Sequence, residues 1–145
     1  MKVGQMMNPA SARIGDWLGV EPPLTQSSIL SIVERQLEPA VIQRLLGMGL
    51  NRDEVHAVII PARTLQHRRS RKERLSLEES DRVIRALRVL SAAETVYESR
   101  DRALTWLRRA HPRLDGRTPI SLLNTDTGAR IVEELLGQID EGYFT

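Results

Sequence analysis

The stretch Arg63-Thr64-Leu65-Gln66-His67-Arg68-Arg69-Ser70-Arg71-Lys72-Glu73-Arg74 holds six basic residues against one acid, a local net charge of +5 in a chain whose total is +2. It follows the short helix-like segment Asn51-Arg52-Asp53-Glu54-Val55-His56-Ala57-Val58-Ile59 and a break at Pro61. In the basic helix that Pro61 opens, Ala62 and Leu65 are the only clear core-facing residues. A helix of this kind packs through one narrow edge and leaves most of its girth to a partner. A short capped helix, a tight turn and a second helix rich in Arg, Thr and Gln is the layout of a helix-turn-helix reader of duplex DNA. The charge attracts phosphates, and Arg and Gln can reach base edges in the major groove. An Arg-rich run is by itself also compatible with a plain solvated face.

Outward from this stretch the pattern is helical on both sides. Upstream, Ile29, Ile32, Val33 and Leu37 share one face from Thr25 onward, and Pro39 precedes the stripe Val41, Ile42, Leu45, Leu46 that Gly47 and Gly49 end. Asn51 with Glu54, and Ser76 with Glu79, each fit a capping box. Downstream, Val83, Ala86, Leu87, Leu90, Ala93 and Tyr97 mark the longest helix, and Ser99 or Asp101 starts the next, with Ala103, Leu104, Trp106 and Leu107 inside and Pro112 closing it. Leu114-Asp115-Gly116 reads as a turn, Thr118-Pro119 as a cap with a first-turn proline, and Thr125 as the start of a last helix that Gly142 stops. No long period-2 run occurs, so the expected fold is all-α. Residues 1–24 show no sustained period and read as a partly disordered arm from which Ile14, Trp17 and Leu18 could dock. Residues 25–92 then form a helix-turn-helix domain and residues 93–145 a small helical domain.

Composition narrows the function. A chain of 145 residues with 41% hydrophobic and 28% charged residues can bury a core. There is no run of about 18 apolar residues, hence no expected membrane span. No secretory signal pattern is visible and there are no cysteines, which fits a cytoplasmic protein without disulfides or thiol catalysis. The three histidines, His56, His67 and His111, lie far apart with no metal-ligand spacing, and neither a serine elbow nor a Gly-rich phosphate cradle is present. No cofactor, no metal and no enzymatic activity are expected. Residues 115–145 carry a net −4, so phosphate should repel that end and meet the middle of the chain.

Near the start of the basic helix, Arg63, Thr64, Gln66 and His67 are the expected base readers, while Arg68, Arg69, Arg71 and Lys72 are expected on phosphates. Arg74 could pair with Glu78 four residues on. Trp106 and Tyr97 read as core. Tyr143 and Phe144, beyond Gly142, are either interface anchors or a tail folded back on its own domain. On the last helix, Arg130, Glu133 and Glu134 read as a solvated surface on which Arg130 can pair with either acid.

Gly49-Leu50, Arg63-Thr64-Leu65, Arg68-Arg69, Leu75-Ser76 and Glu79-Ser80-Asp81-Arg82 resemble the DNA-binding half of Xre-type antitoxins. Ala103, Trp106-Leu107, Pro112, Leu114, Gly116, Thr118-Pro119, Leu122-Leu123, Thr125, Gly128, Val132, Leu135-Leu136, Ile139 and Gly142 are similar to the toxin-binding domain of the Xre/MbcA/ParS family. The resemblance implies an antidote to a RES-domain toxin that consumes NAD, or transfers its ADP-ribose part. Such an antidote covers the toxin's active-site entrance in a hetero-oligomer and represses its own operon on double-stranded operator DNA. It implies toxin-binding residues in the C-terminal half, for which Arg130, Glu133, Glu134, Tyr143 and Phe144 are the candidates. A symmetric operator calls for a homodimer or for toxin-mediated pairing. One departure stands out: Ile59-Ile60-Pro61 fills a turn that commonly carries glycine, so a bent motif is expected. The alternative to an antitoxin is a stand-alone repressor whose C-terminal domain dimerises.

Overall fold

The computed structural model describes residues 9–21 and 24–142. Among these described residues eight α-helices follow one another: α1 (Pro9–Leu18), α2 (Gln26–Glu34), α3 (Ala40–Gly47), α4 (Arg52–Val58), α5 (Ala62–Ser70), α6 (Leu77–Tyr97), α7 (Arg100–Leu107) and α8 (Asp126–Asp140). A 3-10 turn at Pro112–Leu114 and a 3-10 helix at Pro119–Asn124 link the last two. The described residues contain no strand, only an isolated bridge between His111 and Arg117, and no helix long and apolar enough to cross a membrane. The all-α expectation holds.

The helix starts are where the capping chemistry puts them. Thr25, Ser99 and Thr125 each accept a hydrogen bond from the backbone N–H three residues on. Asn51–Glu54 and Ser76–Glu79 form both halves of a capping box, satisfying donors that a helix start otherwise leaves unpaired. Of the two possible caps for α7, Ser99 is the one used. Thr118-Pro119 opens a 3-10 helix rather than an α-helix.

Residues 9–18, expected to be irregular, form a helix. Its docking is as read: Trp17 is fully buried and Ile14 nearly so, with Leu18 against the core. Its large apolar residues Ile14, Trp17 and Leu18 cover little more than one turn, too short a run to show a sustained period, and the bonds that fix α1 are tertiary. The Trp17 Nε1 donates to Glu94 of α6 at 3.1 Å. Arg100 also binds Glu94, Nε to Oε1 at 2.9 Å, and lies over the Trp17 ring at 4.6 Å from its centroid. A buried carboxylate is tolerable because it is paired and hydrogen-bonded.

The 21-residue α6 is the spine. Helices α1, α2, α7 and α8 all pack on it, and a single apolar cluster runs from Ile14 to Leu136. The 3-10 helix Pro119–Asn124 lies against α4, α6, α7 and α8. Its Ile120 and Leu123 face Leu50 and Val58 of the first half across a shared apolar contact. Ile59 and Ile60 are buried as well, which explains the turn. None of residues 59–61 has a positive φ, so glycine is not required there. The carbonyl of Ile60 can only accept, so the His56 Nδ1 at 2.9 Å carries the proton. Arg82 of α6 donates to the Ile59 carbonyl at 3.4 Å.

Candidate nucleic-acid interface

Helix α5 stands out from the body by its polarity. Leu65 is its one buried residue. Ala62, expected in the core, is exposed and lines the open groove between α3, α4 and α5. With Leu65 pointing inward, the 100° step of a helix turns Arg63, Gln66, His67 and Ser70 outward, and all four are exposed. Thr64 is half-buried at the flank. The helix ends at Arg71, after which Lys72 takes a left-handed conformation with φ 56°. Arg69, Arg71 and Lys72 are exposed. Of the eight residues expected to touch DNA, six are thus exposed and Thr64 is half-buried.

Arg68 is the exception. Its Nε and Nη2 bond both oxygens of Glu79 at 3.1 Å each, and its Nη1 reaches Glu73 at 3.5 Å. Glu79 is buried, and its Oε1 also closes the Ser76 capping box at 2.7 Å. Burial raises the Glu79 pKa, but the Arg68 and Ser76 bonds outweigh it and bring the carboxyl below its usual 4.5. The Arg68 guanidinium is thereby held against α6 and fastens α5 near its C-terminal end. Arg74 pairs with Glu38 at 3.0 Å and with the Gln36 carbonyl at 2.8 Å rather than with Glu78, so the segment after α5 is tied back to the α2–α3 loop.

Tertiary packing adds residues that the sequence reading missed. Gln66 and Arg69 open onto a groove between α3, α4 and α5 that also includes Gln43 and Arg52. Arg52 begins α4 and brings a fourth basic or amide side chain to the same edge. The one available signal was its place as the first residue of a capped helix that leads into the turn. A row of exposed arginines with adjacent amides suits phosphate contacts flanking base contacts. No His, Asp or Glu cluster among the described residues is arranged to hold a metal.

In the C-terminal half, Trp106 is buried and packs at 6.1 Å from the half-buried Tyr97, as read. Arg130 pairs with Asp126, Nε to Oδ2 at 2.7 Å, and not with Glu133 or Glu134. Glu133 accepts from Arg88 Nε at 3.0 and 2.9 Å and lies 2.9 Å from its Nη2, so it braces α8 on α6. Glu134 is exposed, beside the exposed Ile131. Tyr143 and Phe144 lie outside the described residues.

Comparison with known proteins places both halves. Residues 28–88 match the family model of the antitoxin Xre-like helix-turn-helix domain, and residues 92–142 match that of the antitoxin Xre/MbcA/ParS C-terminal toxin-binding domain. The chain is 31% identical to a protein named Antitoxin Xre from Yersinia enterocolitica over 94% of its own length and 95% of the relative's. It is 42% identical to an Antitoxin Xre from Pseudomonas putida, over 59% of this chain and 54% of that protein, so the match spans about half of that longer relative. A protein named Prs ADP-ribosylating antitoxin, from a Sphingobium species, is 29% identical over 61% of each chain.

Proposed function

This chain belongs to the Xre-type antitoxin family, a non-enzymatic one, and on that premise we propose that it neutralises a RES-domain, NAD-consuming toxin and represses its own operon. Inhibition is occlusion: the C-terminal half covers the toxin's active-site entrance and performs no chemistry of its own. Repression is carried by α5, with Arg63, Gln66 and His67 directed at base edges and Thr64 at their flank. Arg69, Arg71 and Lys72 hold phosphates. Two reading helices are needed on a symmetric operator, so two copies pair directly or through a toxin dimer. Both tasks belong to the cytoplasm, where the operator and NAD are found.

The observation that carries this reading is α5 itself: nine residues with a single buried side chain and a basic outer face, tied to α6 through Arg68 and Glu79. Co-expression with the product of the adjacent open reading frame tests the toxin half, with restored growth as the expected result. A gel shift on the promoter at low and moderate salt tests the DNA half, with retardation that weakens as salt rises. Retardation without any growth rescue would favour the stand-alone repressor instead.

A further inference from the structure

We propose that the cleft between α7, the Pro112–Leu114 turn and the end of α8 is the toxin-docking surface, and that it takes an acidic, apolar-tipped segment of the toxin. This rests on the antitoxin reading above. The cleft has a volume of about 980 Å³. Its floor is apolar and aromatic: Trp106 is nearly buried, and Tyr97 and Ile139 are half-buried. The Tyr97 ring is tilted 34° to that of Trp106. Among the described residues the Tyr97 hydroxyl has no hydrogen-bond partner, and burial pushes its pKa above the usual 10.0. An amphipathic ring with its apolar body covered and its polar tip unpartnered is the kind of anchor that interfaces favour.

The rim differs from the floor. Arg102, Arg109 and Arg113 stand there against one acid, Asp101, and all four are exposed. This basic collar lies in a half whose last 31 residues are net acidic, so an acidic partner segment is attracted here and repelled from α8. Aromatic floor inside charged rim is the arrangement of a protein-binding hot spot, where the rim steers encounter and excludes water. A small-molecule site would place polar groups inward, on the floor. Here the charged groups stand outside it.

The test uses the full chain and the product of the adjacent open reading frame. Arg102→Glu with Arg109→Glu is expected to weaken toxin binding by about tenfold or more and to flatten its salt dependence. Melting temperature and promoter binding should stay as in the unaltered chain. Thr105→Trp, which fills the cleft from an exposed position without changing charge, should weaken binding similarly and serves if the charge reversal unfolds the protein. Unchanged toxin affinity in both variants overturns the cleft and leaves the antitoxin reading intact. Loss of promoter binding at unchanged toxin affinity also overturns it, by assigning the arginines to DNA. An unaltered chain that neither rescues growth nor binds the product defeats the antitoxin reading and this inference together.

Discussion

Arg108, at the end of α7, grips Glu54, in the first turn of α4, through two bonds: Nε to Oε2 at 2.7 Å and Nη2 to Oε1 at 2.9 Å. The same Nη2 donates to the Gly49 carbonyl at 2.7 Å. Glu54 meanwhile accepts from the Asn51 backbone N–H at 2.9 Å, so one carboxylate both caps the first helix of the helix-turn-helix and anchors it to the C-terminal half. The backbone of Gly49 sits against Leu104 of α7, where a Cβ would come within 2.7 Å of Leu104 Cδ1. This pair thus joins the two halves, beside the Arg88–Glu133 pair and the apolar contact of Ile120 and Leu123 with Leu50 and Val58.

Arg108→Ala and Glu54→Gln should each lower stability by about 1–2 kcal/mol, at the modest end for charged bonds because the Arg108 side chain is 38% exposed. A double-mutant cycle read by urea unfolding should show clear coupling, since both substitutions remove the same bonds. Additive effects would mean that the Arg108–Glu54 pair contributes nothing to joining the two halves.

The pH dependence follows from two carboxylates. Burial raises the pKa of Glu54, yet its bonds to Arg108 and Asn51 bring it below the usual 4.5, and Glu79 behaves alike with Arg68 and Ser76. A carboxyl with a lower pKa folded than unfolded contributes stability that is complete above the unfolded value and lost as pH falls through the folded one. The melting temperature should therefore hold steady above about pH 5 and drop below 4.5. Glu54→Gln should make that drop shallower. An equally steep drop in that variant would place the acid sensitivity elsewhere.

Arg68 and Arg69 are neighbours in sequence with opposite expected phenotypes. Arg68→Ala leaves the buried Glu79 without its guanidinium and should cost about 2–3 kcal/mol, visible as a lower melting temperature. Arg69→Ala should leave the melting temperature within about 1 °C and reduce the salt slope of promoter binding by about one unit. Matching melting curves for the two variants would contradict the division between a bracing and a contacting arginine.

Gly128 sits in the first turn of α8, where an added Cβ would collide with the Leu122 carbonyl. Backbone cannot swing aside as a side chain can, so Gly128→Ala should destabilise by about 1–3 kcal/mol. Gly137→Ala on the same helix meets nothing within 4 Å and should be neutral or slightly stabilising through helix propensity. Thermal denaturation of the two variants side by side decides this.

Much of the site was legible because its signals are local. Capping boxes involve residues three apart, and Asn51–Glu54 and Ser76–Glu79 were visible in the sequence for that reason. The outward face of α5 follows from one apolar residue among polar ones. What eluded the sequence depends on residues far apart in the chain. Arg68 finds Glu79 11 positions away, Trp17 finds Glu94 77 positions away, and Arg88 finds Glu133 45 positions away. No spacing rule connects such pairs.

The amino-acid order alone determined that this chain is helical, where the capped helices α2, α4, α6 and α8 begin and which helix presents a basic surface, since these rest on interactions within a turn or two of backbone. Only the tertiary structure decided that both halves share one core, that Arg68 braces α5 while its neighbours are exposed, and that an aromatic-floored cleft opens between α7 and α8. Those outcomes depend on which apolar faces meet. Burial is not directional, so the sequence names the faces without naming their partners, and the charged side chains pair with whatever packing brings within reach.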